Sequence, residues 1–183
     1  MSTLLIPLLL LGSAFPIERS PDGKGYVDAK GKPFVIQPDT QWDLLYRLKQ
    51  ADYEAYFKEL NLKGLNTIQI AIFPDGKAWP TADGEWPLGF GGQSHDDLSL
   101  PNPAFFHHVD WVVRKAEAKG ILVLITPASA VVWNERLAHN GSQKAKDFGR
   151  YLGRRYMKSK NVMWSQGSNS PMAAAVGEGL LLR

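Results

Sequence analysis

The sequence predicts an α/β protein built as part of a (β/α)8 TIM barrel, about four strand–helix units long, with a short hairpin ahead of it. Three observations carry this. Strand-like apolar runs alternate with stretches of helical periodicity, the order that builds a parallel sheet. The runs are nearly continuous in apolar residues, as strands covered on both faces must be. The loops after the second and third runs are long and the returns after the helices are short, which places the working face at the C-terminal ends of the strands.

Asp22-Gly23 and Lys30-Gly31-Lys32-Pro33 are turn signals that bracket a hairpin strand around Tyr26 to Asp28. Residues 34–37 are a short apolar run ending at Pro38, so they read as the first barrel strand. Trp42 to Leu48 reads as a short helical turn. Tyr53, Tyr56, Phe57 and Leu60 fall at i, i+3, i+4 and i+7, one face of a helix, and Gly64 follows as its stop. Residues 67–73, within NTIQIAIF, form the second strand. From Pro74 to about Asn102 runs a Gly/Pro/Trp-rich loop, far longer than the roughly 2–6 residues of an ordinary βα connection. Asn102-Pro103 supplies an N-cap and a proline at the first helical position. Phe105, Val109, Val112, Val113 and Ala116 then mark a buried face, and Gly120 ends that helix. Residues 121–126 are the third strand, stopped by Pro127. Ser142 reads as the cap of a helix with Ala145, Phe148, Leu152 and Tyr156 on one side. Val162 to Gln166 is the fourth strand. Met172 to Arg183 reads as a bland, flexible tail.

The composition is that of an ordinary globular domain: 183 residues, 44% apolar and 21% charged. A net charge of +3 is too small to argue for nucleic acid. There are no cysteines, which excludes disulfides and thiolate metal sites. Six tryptophans in a chain this short point toward a binding cleft. Residues 1–15 read as a signal peptide: Leu4 to Leu11 is apolar apart from Pro7, and Gly12-Ser13-Ala14 is a small-residue run. The apolar run is too short for a membrane-spanning helix. Residues 16–183 are then the folded domain, secreted or periplasmic, without membrane contact once the leader is removed. The leader has no Lys or Arg ahead of its apolar run; a cytoplasmic chain with an apolar N-terminal strand is the other reading.

Four segments carry a family resemblance. They are PDTQWDLLYRL at Pro38 to Leu48, YFKELNLKGLNTIQIAIF at Tyr56 to Phe73, LPNPAFFHHVDWVVRKAEAKGILVLI at Leu100 to Ile125, and FGRYLGRRYMKSKNVMW at Phe148 to Trp164. In order and spacing the chain resembles the apiosidase-like catalytic domain of bacterial glycoside hydrolases, over its N-terminal half only. The resemblance implies a (β/α)8 barrel, hydrolysis by paired carboxylates, and a plant-type polysaccharide as substrate, with apiose-bearing pectin as one substrate class. The family's fourth strand ends in a pattern similar to W-x-x-G-G-D. Here Trp164, Gly167 and Ser168 match it, and the family's aspartate falls on Asn169. The second carboxylate would come from a later strand.

Asn169 is therefore the candidate catalytic position, in altered form. Glycoside hydrolysis needs one carboxylic acid to protonate the leaving oxygen and a second carboxylate as nucleophile or base. An amide does not titrate near neutral pH and cannot be a general acid. From Asn161 to Pro171 there is no acidic side chain; the next is Glu178. Glu135, after the third strand, and Glu178, in the tail, are the remaining stand-ins. Asp39, Trp42, Trp79, Trp86, Trp133 and Gln166 are the candidate substrate-binding residues, with Phe90 in the same long loop. Aromatic faces stack on sugar rings and the polar groups hold hydroxyls. Asp39 as a helix cap, Trp42 in the core and Trp86 in an internally packed loop are equally open readings.

His95, Asp96 and Asp97 lack a fixed metal-ligand spacing and read as solvated loop groups. His107 and His108 read as surface or packing residues. Arg150, Arg154, Arg155, Lys158 and Lys160 read as the solvated outer face of a helix. No phosphate loop, Ser-His-Asp order or zinc spacing is found, so neither cofactor nor metal is expected. The expected partner is a polysaccharide or oligosaccharide, not nucleic acid, with self-association through an open barrel edge. The expected function is that of a glycoside-hydrolase-like protein, truncated and catalytically impaired. A carbohydrate-binding remnant, or a gene fragment without independent function, is the alternative.

Overall fold

A two-stranded antiparallel hairpin, β1 (Glu18–Arg19) and β2 (Tyr26–Val27), opens the fold. It leads into a four-stranded parallel sheet in sequential order: β3 (Pro38–Thr40), β4 (Thr67–Phe73), β5 (Leu122–Ala128) and β6 (Val162–Trp164). Between them run α1 (Leu44–Arg47) and α2 (Tyr53–Leu62), then α3 (Pro103–Ala118), then α4 (Gly141–Tyr156). A last helix, α5 (Pro171–Leu181), follows β6. The computed structural model describes residues 14–74, 80–128, 135, 138–165 and 171–181. The alternation of strands and helices is the expected α/β arrangement of parallel βα units.

The first barrel strand lies later than expected, at 38–40 and not 34–37. The Phe34 N–H donates to the Tyr26 carbonyl at 2.8 Å, Pro33 bridges to Val27, and Val35 is 68% exposed. That run therefore belongs to the N-terminal hairpin. The chain joins the sheet at Gln37, whose N–H donates to the Asn66 side chain at 2.9 Å. Pro38 can begin the strand because β3 is a sheet edge, where a missing N–H need not break a ladder bond. Pro127 likewise does not stop the third strand. The Val123 N–H donates to the Asn161 carbonyl, so the odd-numbered amides of β5 face β6, and the last pair with β6 is Ile125–Trp164, before Pro127.

Helices α2 and α3 end as expected, and by the same device. Gly64 and Gly120 adopt φ 71° and 71°. The next amides, Leu65 and Ile121, reach back to the carbonyls of Leu60 and Ala116 at 3.0 and 2.9 Å. The Asn102 side chain caps α3 by accepting from the Ala104 amide at 3.0 Å. Ser142 does not cap α4, which begins one residue earlier with Asn140 at its N-cap. The Asn140 side chain is used elsewhere, accepting from the Leu98 amide at 2.9 Å and donating to the Asp96 carbonyl at 2.7 Å.

The core lies between the sheet and its helices. Ile68, Ile70, Ile72, Val123 and Ile125 are fully buried in one cluster with Phe57, Phe105, Val109, Val112, Phe148 and Leu152. Each such side chain contributes about 1.5–3 kcal/mol of burial. Arg155 bridges α4 to α3 through two bonds to Asp110, at 2.9 and 2.7 Å, and lies over the Phe106 and Tyr151 rings. Its charge is thus consumed structurally.

Residues 171–181 are helical, not a loose tail. Their glycines are sites of close approach: a Cβ on Gly149 would come within 2.0 Å of the Val176 carbonyl oxygen, and one on Gly179 within 2.0 Å of the Lys146 oxygen. Glu178 pairs with Lys146 at 2.7 Å. Gly149→Ala is expected to push α5 off α4, at a cost of about 1–3 kcal/mol. The expected readouts are a lower melting temperature and faster proteolysis within 171–181; a variant as stable and as resistant as the parent would contradict this packing.

Candidate functional site

Beyond the strand ends, the described face is built from the β3–α1 junction, the loop of residues 80–102, and Ser165. Trp42 is held by the sheet's own hydrogen bonds. The Gln41 amide donates to the Gln69 carbonyl at 2.9 Å, and the Ala71 amide donates to the Trp42 carbonyl at 3.2 Å. The ladder thus extends past β3, and Trp42 stays 36% exposed. It is the kind of partly open indole on which a sugar ring can stack.

Asp39 points the other way. Its carboxylate accepts from the Tyr56 hydroxyl of α2 at 2.8 Å and from the Gln41 amide group at 3.3 Å to each oxygen. Burial, and then the Asp39 charge, push the Tyr56 phenol well above its ordinary range. This network ties the strand end to the helix layer and so fixes the approach to Trp42. Asp39 neither caps α1, whose N-cap is Asp43, nor lies on the open face of the sheet.

That open face carries polar groups that interrupt the apolar strands. Thr40, Gln69, Leu124 and Met163 lie in register across the four strands. They alternate with the helix-facing row of Asp39, Ile68, Val123 and Val162. The Thr40 hydroxyl donates to the Gln69 side chain at 3.4 Å. One step further along, Thr126 is fully buried and its hydroxyl has no hydrogen-bond partner among the described residues. Gln69 and Thr126 are absent from the sequence-based candidates. The signal for both was a polar residue inside an otherwise apolar strand.

The described part of the long loop, residues 80–102, is folded on itself. The Glu85 amide donates to the Thr81 hydroxyl at 3.0 Å, and Asn102 donates to the Glu85 carboxylate at 3.2 Å. Trp86 stacks on His95 with ring centroids 4.3 Å apart and planes 7° from parallel, while His95 Nδ1 donates to the Leu88 carbonyl at 2.8 Å. One face of Trp86 is therefore already covered, whereas Phe90 is 50% exposed. Asp97 accepts from Ser99 and Lys144, which hold its carboxyl down at about 2. Among the described residues no group of three or more His, Asp or Glu side chains is placed to hold a metal ion.

Trp79, Trp133, Gln166 and Asn169 lie outside the described residues. Of the two stand-in acids, Glu135 is exposed and Glu178 is committed to Lys146 on the α4–α5 surface. His107 is exposed; His108 is buried between Tyr53 and Trp111, its Nε2 3.3 Å from the Tyr53 hydroxyl.

The family model described as "Apiosidase-like, catalytic domain" matches residues 20–180, and the chain belongs to that family. A glycoside hydrolase structure superposes with a TM-score of 0.70 at 20% identity, over 92% of this chain and 40% of its own. A glycoside hydrolase family 5 structure from Bacteroides vulgatus gives 0.71 at 18% identity, over 92% and 38%. A variant of the family 5 mannosidase from Rhizomucor miehei gives 0.60 at 13%, over 91% and 54%. At these identities the likeness is one of fold. The chain spans about two fifths of the first two structures, 40% and 38% of their lengths. No curated protein matches it. The chain is thus a glycoside-hydrolase-like domain, partial relative to full-length glycoside hydrolase structures.

Tyr56→Phe is expected to cost about 1.5–3 kcal/mol, the usual value of a hydrogen bond to a charged group, in urea unfolding. An unchanged midpoint would mean that the Asp39 network does not hold the strand end. A second expectation concerns His108, whose pKa is lowered by burial, with Asp83 opposing. The unfolded chain then binds the proton more readily, so stability is full above the ordinary value of about 6.5 and falls as pH drops below it. Unfolding midpoints measured between about pH 7.5 and about pH 5.5 should fall less for His108→Gln than for the parent; equal slopes would refute this.

Proposed function

We propose that this apiosidase-family domain binds plant-type oligosaccharide at the C-terminal ends of its parallel strands, and that the 183-residue chain hydrolyses glycosides only weakly. The observation that carries the binding half is Trp42: its backbone is held by the extended ladder to Ala71, and its side chain is left partly open at the strand ends. Trp79, Trp86, Trp133 and Gln166 join it in this reading, with one face of Trp86 on His95 and the other toward the ligand. Apiose-bearing pectin is the substrate class the family suggests.

The catalytic half rests on Asn169. An amide keeps a hydrogen-bonding shape but releases no proton to a leaving oxygen. Three described carboxylates around the β3–α1 junction and the long loop are engaged, Asp39 by Tyr56, Asp43 by Arg47 and Glu85 by Asn102. Acid–base catalysis is worth about 10²–10⁴-fold, and its loss leaves a binding site with little turnover. Export is part of the same proposal, because a polysaccharide substrate lies outside the cell. Phe15, placed in the leader of residues 1–15 by the sequence, is 2% exposed and packs on Phe34, so it belongs with the folded domain and a leader would end ahead of it.

Pectic oligosaccharides are expected to quench tryptophan fluorescence in the parent and not in Trp42→Ala, while sugar release stays at background in the parent and in Asn169→Asp. No fluorescence change with any glycan of a broad panel would end the binding proposal. Clear hydrolysis that disappears on changing Glu135 would end the impairment proposal.

A further inference from the structure

The loop between β4 and α3 presents one aromatic ring that its own packing leaves out. Phe90 is 50% exposed, the most open aromatic side chain among the described residues. Leu88 and Leu98, from the same loop, are buried in the core cluster. The tip that carries Phe90 is nonetheless held in shape. The Gly89 N–H donates to the Leu100 carbonyl at 2.7 Å, and the Gly89 φ is 69°. A Cβ on Gly89 would collide with the Ser94 carbonyl, so the chain makes this turn only with glycine there. Across the turn the Gln93 N–H donates to the Phe90 carbonyl at 3.2 Å, and the Gln93 side-chain carbonyl accepts from the Phe90 N–H at 3.4 Å. Below the tip, Trp86 lies on His95, while Asn140 and Lys144 hold the segment from Asp96 to Leu98 against the start of α4.

Ordering a glycine-rich turn costs more backbone entropy than ordering most segments. Here that ordering buries nothing at Phe90; it sets the ring out in solvent beside an exposed amide side chain. The loop leaves the C-terminal end of β4 and returns to the N-cap of α3, where the Asn102 N–H donates to the Pro87 carbonyl at 3.0 Å. The tip therefore stands at the same end of the sheet as Trp42, in a different loop.

We propose, resting on the reading of Trp42 as a sugar platform, that Phe90 and Gln93 form a second sugar subsite on the rim, so that the domain grips an extended oligosaccharide and not a single terminal unit. The face of Phe90 takes the C–H face of a sugar ring. The Gln93 amide, with two N–H donors, takes a hydroxyl of the same ring. Because the tip is ordered in advance, little of that contact is lost to ordering the protein. A ligand already held at Trp42 meets the rim as an intramolecular second contact, so affinity rises with ligand length until both subsites are spanned. A ligand too short to reach the rim gains nothing from Phe90.

The test is isothermal titration calorimetry of the full chain against a size-graded series of pectic oligosaccharides, with a thermal melt of every variant. In the parent, affinity should climb with ligand length and then level off. Phe90→Ala should remove the climb: the longest ligands bind about fivefold to tenfold more weakly, the shortest as before. Phe90→Trp should keep the climb, and Gln93→Ala should give a smaller loss confined to the long ligands. Both alanine variants should melt as the parent does, because neither side chain serves the core. A flat length profile in the parent overturns the rim subsite and leaves the Trp42 platform standing. So does a Phe90→Ala chain that binds the longest ligands as tightly as the parent, weakens all lengths alike, or melts at a lower temperature. A parent that binds no member of the series removes the Trp42 platform and the rim subsite together.

Discussion

The structure depends on one seam: the apolar face of a parallel sheet sealed by helices. Ile68, Ile70 and Ile72 of β4 and Val123 and Ile125 of β5 have no exposed surface, and the helices that cover them are the returns that make parallel pairing possible. Burial of that face fixes the side-chain alternation of every strand. It puts Asp39 against Tyr56 and Thr40 on the opposite face. It also places the chemistry-bearing ends of all four strands at one end of the sheet, since parallel strands share their direction. The loops there are free to lengthen because the seam does not involve them.

The sequence announced the seam clearly and its ends less well. β4, β5, α2 and α3 were legible because long periodic segments carry strong signals, and the glycines after α2 and α3 do what helix-terminal glycines usually do. β3 was misplaced because Pro38 reads as a stop from sequence; only its position on an edge makes it a legitimate first residue. Residues 171–181 were misread for a related reason. Gly177 and Gly179 look flexible in one dimension, yet Gly179 backs onto Lys146 with no room for a side chain. Sequence records the absence of a Cβ and not what fills the space.

At the strand ends the sequence shows which residue types are present more readily than what each one touches. Trp42 stands where the sequence puts it, directly after the first barrel strand and partly exposed. Asp39 could not be assigned to Tyr56, because that contact joins two elements 17 residues apart and needs the helix docked first. Gln69 and Thr126 went unremarked although each breaks an apolar run. A polar side chain buried in a strand costs free energy unless it is bonded, so such breaks are among the better pointers a sequence offers. The basic run of α4 shows the opposite error avoided: Arg155 is spent on Asp110 and on aromatic faces, and Arg150 on Asp147 at 2.5 Å.

Folding and chemistry make separable demands on such a chain. The seam needs apolar volume, helix stops and close-packed small residues, and all of these are present here. Glycoside hydrolysis needs two carboxyl groups at a set separation, one of them able to keep its proton near neutral pH. An amide in place of one of them would keep a similar hydrogen-bonding shape while releasing no proton, so the demands of folding and of chemistry can be met separately. Binding has a third set of requirements, open aromatic faces and oriented polar groups, and the partly exposed Trp42 is one such face. A domain of this kind can therefore lose turnover first, keep ligand recognition longer, and keep its fold longest, because the fold is spread over many buried side chains and catalysis rests on two.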